Sequence, residues 1–177
     1  MKTLKIGDSA PNFHLPGVDG RDYSLEVLKD NKVVIVMFSC NHCPYVKAYE
    51  ERFVELQNDY GEKGVILIAI NPNDERRYPE DNFKNMKIRA RKRGFNFPYL
   101  RDESQSVTST YGATRTPEVF VFDEKRTLRY HGRIDDNVYD PSRVSYHYLR
   151  NALDALLSGK KVPIEDTEPV GCTVKWK

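Results

Sequence analysis

An apolar run, Val33-Val34-Ile35-Val36-Met37-Phe38-Ser39, stops at Cys40-Asn41-His42-Cys43-Pro44. That junction constrains the fold more than any other stretch of the chain. A continuous β-branched run of this length reads as a strand covered on both faces. Pro44 suits the first turn of a following helix, where its missing N–H costs nothing. The two thiols therefore fall where unpaired backbone N–H groups and the helix dipole stabilise a thiolate. At i and i+3 they can close as a disulfide and reopen, and only the thiolate attacks a disulfide or a peroxide. The same spacing also serves zinc, so the strand-to-helix setting carries the redox reading.

The flanking pattern is alternating. Residues 6–16 are extended and Pro-containing, Gly17-Val18-Asp19-Gly20 turns, and Arg21–Leu25 returns as a hairpin arm. Val46, Tyr49, Phe53, Leu56 and Tyr60 share one helix face that Gly61 ends. Val65–Ile70 is a second buried strand, followed by a polar segment to Tyr78. Pro79 opens a helix with Phe83, Met86 and Ala90 inward and Gly94 at its end. Pro98–Asp102 is extended, and Ser104–Tyr111 a short helix. Val119–Asp123 and Leu128–Gly132 form a hairpin. Asp140-Pro141 caps a final helix with Val144, Tyr148, Leu149, Ala152, Leu153 and Leu156 inward, ended by Gly159. Strands alternating with helices, then a hairpin and a helix, predict a mixed sheet with helices on both faces. The domain spans residues 1–158, and 159–177 form a C-terminal tail without periodicity, carrying Cys172.

At 177 residues, with 39% hydrophobic and 11% aromatic residues, the chain supports one packed domain. A net charge of +2 gives no field for nucleic acid or an anionic membrane. No apolar stretch approaches the roughly 20 residues of a membrane span. Three cysteines are too few for a secreted disulfide scaffold, and Met1–Asp8 lacks a secretory leader. The expected compartment is the cytoplasm, or the periplasm if a leader has been removed.

Four motifs resemble the thioredoxin superfamily, in its group of alkyl hydroperoxide reductase/thiol-specific antioxidant (AhpC/TSA) and thioredoxin-like redoxin domains. They are Gly7-Asp8-Ser9-Ala10-Pro11-Asn12-Phe13 with Asp19-Gly20 and Leu25; Phe38-Ser39-Cys40-Asn41-His42-Cys43; Thr114-Arg115-Thr116-Pro117-Glu118; and Gly132-Arg133-Ile134. Together they span residues 5 to about 158. The resemblance implies an α/β thioredoxin fold with an added N-terminal β-hairpin. It also implies a cis Thr116–Pro117 bond beside the thiols, with the Thr116 backbone docking an extended substrate. By the same resemblance Cys40 is the exposed attacking thiol, with a lowered pKa, and Cys43 resolves the mixed disulfide. His42, between them, stabilises the Cys40 thiolate when protonated. The implied activity is thiol-disulfide exchange with a protein or small-thiol partner, without a bound cofactor, fed by an upstream thiol reductant.

The chain departs from that group in one respect. Val34 and Val46 stand where relatives place a buried acid, leaving the proton acceptor for Cys43 open. Glu50 and Glu118 are candidates, each otherwise a solvent-facing charge. A second reading is a peroxiredoxin-type peroxidase with Cys43 as peroxidatic thiol and Arg115 as accessory. Cys40 and Val36 then occupy that signature's hydroxyl and proline positions. A third is a metal-binding module of Cys40, His42 and Cys43, completed by His131 or Cys172. Cys172 reads as an extra resolving thiol or a lone surface thiol. Tyr45 flanks the docking groove or packs in the core, and His14 and His147 belong to no motif. The basic face of Lys84, Lys87, Arg89, Arg91, Lys92 and Arg93, offset by Asp74, Glu75, Glu80 and Asp81, reads as solvated.

Overall fold

The computed structural model describes residues 2–177. Strands β1 (His14–Pro16) and β2 (Asp22–Ser24) pair antiparallel as the entry hairpin. Next come β3 (Val33–Phe38), α1 (Pro44–Tyr60), β4 (Val65–Asn71), α2 (Phe83–Lys92), β5 (Tyr99–Arg101) and α3 (Ser106–Tyr111). Then follow β6 (Arg115–Thr116), β7 (Glu118–Phe122), β8 (Leu128–Gly132), α4 (Tyr148–Leu157) and β9 (Cys172–Thr173). The central sheet has the order β5-β4-β3-β7-β8. β3 runs parallel to β4 and antiparallel to β7, and β4 runs parallel to β5. This is the expected mixed α/β sheet flanked by helices.

Every residue of β3 is buried because both faces are covered. Val33, Ile35 and Met37 pack with the inner face of α1, with Met86 of α2 and with Leu149 and Leu153 of α4. Val34, Val36 and Phe38 pack on the other side with Phe13, Leu15 and Tyr23 of the entry segment and with Tyr111 of α3. The hairpin thus seals the sheet face that lacks a long helix. A fully buried side chain of this size contributes about 1.5–3 kcal/mol, so β3 is the stiff base from which the Cys motif projects.

Two helices start later than their proline signals predict. Pro79–Asp81 makes one 3-10 turn, and α2 begins only after Asn82, whose side chain caps the Asn85 N–H. The break lets Asp81 turn inward toward the Cys motif, which a continuous helix from Pro79 would not do. Asp140 does cap its turn, accepting from Ser142 N, but Pro141–Arg143 is again a single 3-10 turn. Asp136 Oδ1 accepts from the N–H groups of Ser145 and Tyr146, tying the chain extended before α4.

The residues beyond α4 are bound closely to the domain. His131 N donates to Glu165 O and Thr167 N to His131 O, a short parallel bridge on β8. β9 pairs antiparallel with β6, with Thr116 opposite Cys172 and Arg115 opposite Thr173. Beyond it, Val174 N donates to Thr114 O, and Lys175 O accepts from Asp74 N. Among the described residues, no helix is long and apolar enough to cross a membrane.

Candidate active site

β3 delivers the chain into the motif, and Ser39 N still bonds Ile70 O of β4. Cys43 takes the extended backbone of a helix N-cap, with Pro44 as the first helical residue. The Val46 N–H in the first turn faces the Cys43 sulfur and favours its anion without closing a formal cap. The Thr116–Pro117 bond is cis, as expected, and its loop meets both thiols. Cys40 Sγ lies 3.5 Å from Thr116 Oγ1, and Cys43 Sγ lies 3.2 Å from Thr116 O, the acceptor of its S–H when protonated.

Two expectations about Cys40 are overturned. It is not exposed: it retains 3% of its accessible surface and Cys43 retains none. Nor is its pKa lowered. The neighbouring Cys43 sulfur, burial and then the Asp81 carboxylate push the Cys40 thiol well above the usual cysteine range. Cys43 is pulled down to about 4, first by the Cys40 thiol and further by Cys172 and the Val46 N–H. The Thr116 carbonyl favours protonated Cys43, but the donors around this sulfur outnumber it. Of the two, Cys43 is therefore the thiol that ionises first and Cys40 the one that keeps its proton longer.

Asp81 is the residue that sequence reasoning missed. It is fully buried and accepts four hydrogen bonds. Oδ1 takes Asn41 N at 2.6 Å and Asn71 Nδ2 at 3.2 Å; Oδ2 takes Asn73 Nδ2 at 2.9 Å and His42 Nδ1 at 2.5 Å. His42 is thereby oriented by a carboxylate, and its ring stacks on Tyr78. The imidazole reaches Cys40 together with a negative neighbour, which removes the basis for expecting it to lower the Cys40 pKa. Asn41 completes the frame, donating to Glu80 O and accepting from Tyr99. No spacing in the sequence marks Asp81, which reads as one of several acids beside a basic helix.

The other candidates fall in different places. Glu50 and Glu118 are both buried rather than solvent-facing. Arg89 and Arg93 from the basic face of α2 clamp Glu50, so that face is only partly solvated. Glu118 Oε2 accepts from Thr114 N and Arg115 N, holding the cis-proline loop, and Oε1 meets His131 Nε2 at 2.7 Å. Burial disfavours charge on His131, but Glu118 and Asp166 override it and raise its pKa. Both ring nitrogens of His131 are thus committed to carboxylates rather than to a fourth metal position. Among the described residues, the cluster that could hold a metal is Cys40, His42 and Asp81, with donor atoms within 4.8 Å of one another, a set without Cys43. Arg115 is half-buried opposite Thr173 of β9, where its charge only partly offsets the burial and the Cys43 sulfur that raise the Cys172 pKa. Val36, in the peroxidase signature's proline position, is buried within β3.

Two solved structures resemble the whole chain. An uncharacterized conserved protein from Geobacillus kaustophilus is 43% identical with TM-score 0.91, covering 98% of this chain and 93% of that one. A hypothetical protein from Sinorhizobium meliloti 1021 is 36% identical with TM-score 0.93, covering 99% and 97%. A thiol:disulfide interchange protein DsbE from Chlorobium tepidum, at 21% identity and TM-score 0.71, shares the thioredoxin fold over 88% of this chain and 99% of its own. Among curated proteins, thiol-disulfide oxidoreductase ResA of Bacillus anthracis is 32% identical over 123 residues, 68% of this chain. The match spans 65% of that relative's length. The family model described as AhpC/TSA matches residues 6–131, from the entry segment through the Cys motif and cis-proline loop to β8. On that match, and with the thioredoxin fold beneath it, the chain belongs to the AhpC/TSA family.

Proposed function

We propose that the protein is a thiol-disulfide oxidoreductase in which Cys40 and Cys43 exchange with a disulfide in a protein or small-thiol partner. The observation that carries this reading is the approach of both sulfurs to Thr116, the residue before the cis proline. An extended substrate pairing with the Thr116 backbone in place of β9 would present its sulfur there. Cys40 attacks, since it borders the half-buried His42 at the mouth of the site while Cys43 lies deeper.

Cys40 gives its proton to the free Nε2 of His42, whose Nδ1 donates to Asp81. The thiolate displaces one substrate sulfur, which leaves as a thiolate and takes up the proton. Cys43, already the anionic partner, then attacks Cys40 Sγ and releases the second substrate thiolate. The substrate gains two electrons and the protein holds a Cys40–Cys43 disulfide, which an upstream thiol reductant reopens. Thr116 and Pro117 dock the substrate, Glu118 positions their loop, and Arg115 flanks it. His42 and Asp81 stand in for the acid that relatives place at the positions of Val34 or Val46, with the difference that they serve Cys40. The low cysteine count supports a cytoplasmic setting.

Cys43→Ser should trap a mixed disulfide through Cys40, and Cys40→Ser should abolish turnover of a disulfide substrate. Full turnover by Cys40→Ser refutes the roles. One observation, the strongly lowered pKa of Cys43, favours a second reading as a peroxidase. In that case Cys40→Ser would still form sulfenic acid rapidly at Cys43 on adding hydrogen peroxide.

A further inference from the structure

The edge that the proposed exchange needs for substrate already carries a peptide, and it belongs to the protein itself. β9 lies antiparallel on β6 with Cys172 opposite Thr116, the register in which a substrate cysteine would sit. The approach is too close for any residue but glycine just before it. A Cβ on Gly171 would stand 2.1 Å from Thr116 O and 2.6 Å from Thr116 C. Both sides of β9 are anchored, by the Glu165–Thr167 bridge to His131 and by Val174 N on Thr114 O. Lys175 extends the hold through Asn73 and Gln105. Cys172 is packed against the core cluster that contains Cys40 and Cys43, near enough to the Cys43 sulfur to help lower its pKa.

We infer that Cys172 is a third redox thiol and β9 an intramolecular substrate, so that the disulfide formed between Cys40 and Cys43 passes on to Cys43–Cys172. The inference rests on the Cys40/Cys43 exchange proposed above. The Cys172 thiolate attacks Cys43 Sγ, the Cys43–Cys172 bond forms, the Cys40–Cys43 bond breaks, and Cys40 leaves as a thiolate that takes the proton Cys172 gave up. No electrons enter or leave. Cys40 is thereby regenerated at the mouth of the site while the oxidising equivalent is stored beneath β9. Burial and Cys43 raise the Cys172 pKa to about 11. The thiolate is therefore scarce while Cys43 is an anion, and forms more readily once Cys43 is consumed in a disulfide.

The test equilibrates the full chain with glutathione disulfide and glutathione over a range of ratios, quenches with acid, alkylates free thiols and maps trypsin peptides of the monomer. Cys40 and Cys43 share the peptide 33–47, and Cys172 lies on 162–175. The inference predicts these two peptides joined, with the alkyl group on Cys40. Gly171→Ala, which keeps all three thiols but forces β9 off Thr116, should reduce the joined species at least tenfold while Cys40–Cys43 still forms. A wild type that forms Cys40–Cys43 but leaves Cys172 alkylated at every ratio overturns this inference alone. A wild type that forms no disulfide at all overturns it together with the exchange reading. An undiminished joined species in Gly171→Ala overturns the role of β9.

Discussion

Replacing Asp81 by Asn isolates what a buried charge does to Cys40. Asp81 is within 4.8 Å of the Cys40 sulfur through at least one carboxylate oxygen. At that distance, with an effective dielectric near 20, two unit charges repel by about 3.5 kcal/mol. That repulsion opposes the Cys40 thiolate and adds to the upward push on its pKa. Removing the charge should therefore lower the Cys40 midpoint. The substitution also has a structural cost. An amide has one acceptor oxygen where the carboxylate has two, so its NH2 group must face a pair of donors whichever way it turns. The less costly choice sets it against Asn73 Nδ2 and His42 Nδ1, since His42 can change tautomer and accept. One buried donor, on Asn73, is then left unpaired, at a cost of about 2–3 kcal/mol with the lost charge assistance. For a domain of this size that lowers Tm by about 5–10 °C. The assay is the pH dependence of Cys40 alkylation by iodoacetamide, read by mass, in Cys43→Ser with and without Asp81→Asn. Circular dichroism verifies folding. A Cys40 midpoint that stays put or rises in the folded double variant refutes the electrostatic argument.

Glu50→Ala should destabilise by about 1–3 kcal/mol in urea titrations, below the 3–5 of a fully buried broken pair. The reason is that Arg89 and Arg93 are 22% and 34% exposed and turn to water once released. The raised pKa of His131 gives a stabilisation that is complete below its unfolded value of about 6.5 and is lost as pH climbs through the folded value. The stability difference between wild type and His131→Gln should therefore shrink from pH 6 upward, and a difference that grows with pH refutes it. Gly112→Ala should be strongly destabilising, since φ is +69° and a Cβ would meet Lys2 O at 2.4 Å. A thermal melt within a degree of wild type would contradict it.

Most of the scaffold was legible because its signals are local. Continuous apolar strands, the inner face of α1 from Val46 to Tyr60, and the Cys motif with Pro44 each declare themselves within a few residues. Thr116-Pro117 was legible only through resemblance, since a lone Thr-Pro also reads as an ordinary trans proline opening a strand. What stayed hidden depends on distant partners. Asp81 reads as a surface acid until Asn82 breaks the helix and Asn41, Asn71 and Asn73 surround it. β9 has two residues and no periodicity, and its place on Thr116 depends on the missing side chain of Gly171. The upward shift of the Cys40 pKa comes first from the Cys43 sulfur and burial, and the unforeseen Asp81 adds to it.

The central claim is a reversible bond between Cys40 and Cys43, and a redox titration of Cys172→Ser reads it without interference from the third thiol. Intact mass after quenching and alkylation should show one concerted two-electron transition, with Cys40 and Cys43 protected together at every potential above the midpoint. Singly alkylated protein, with one of the two modified and the other oxidised alone, or two free thiols across the whole range, would contradict it.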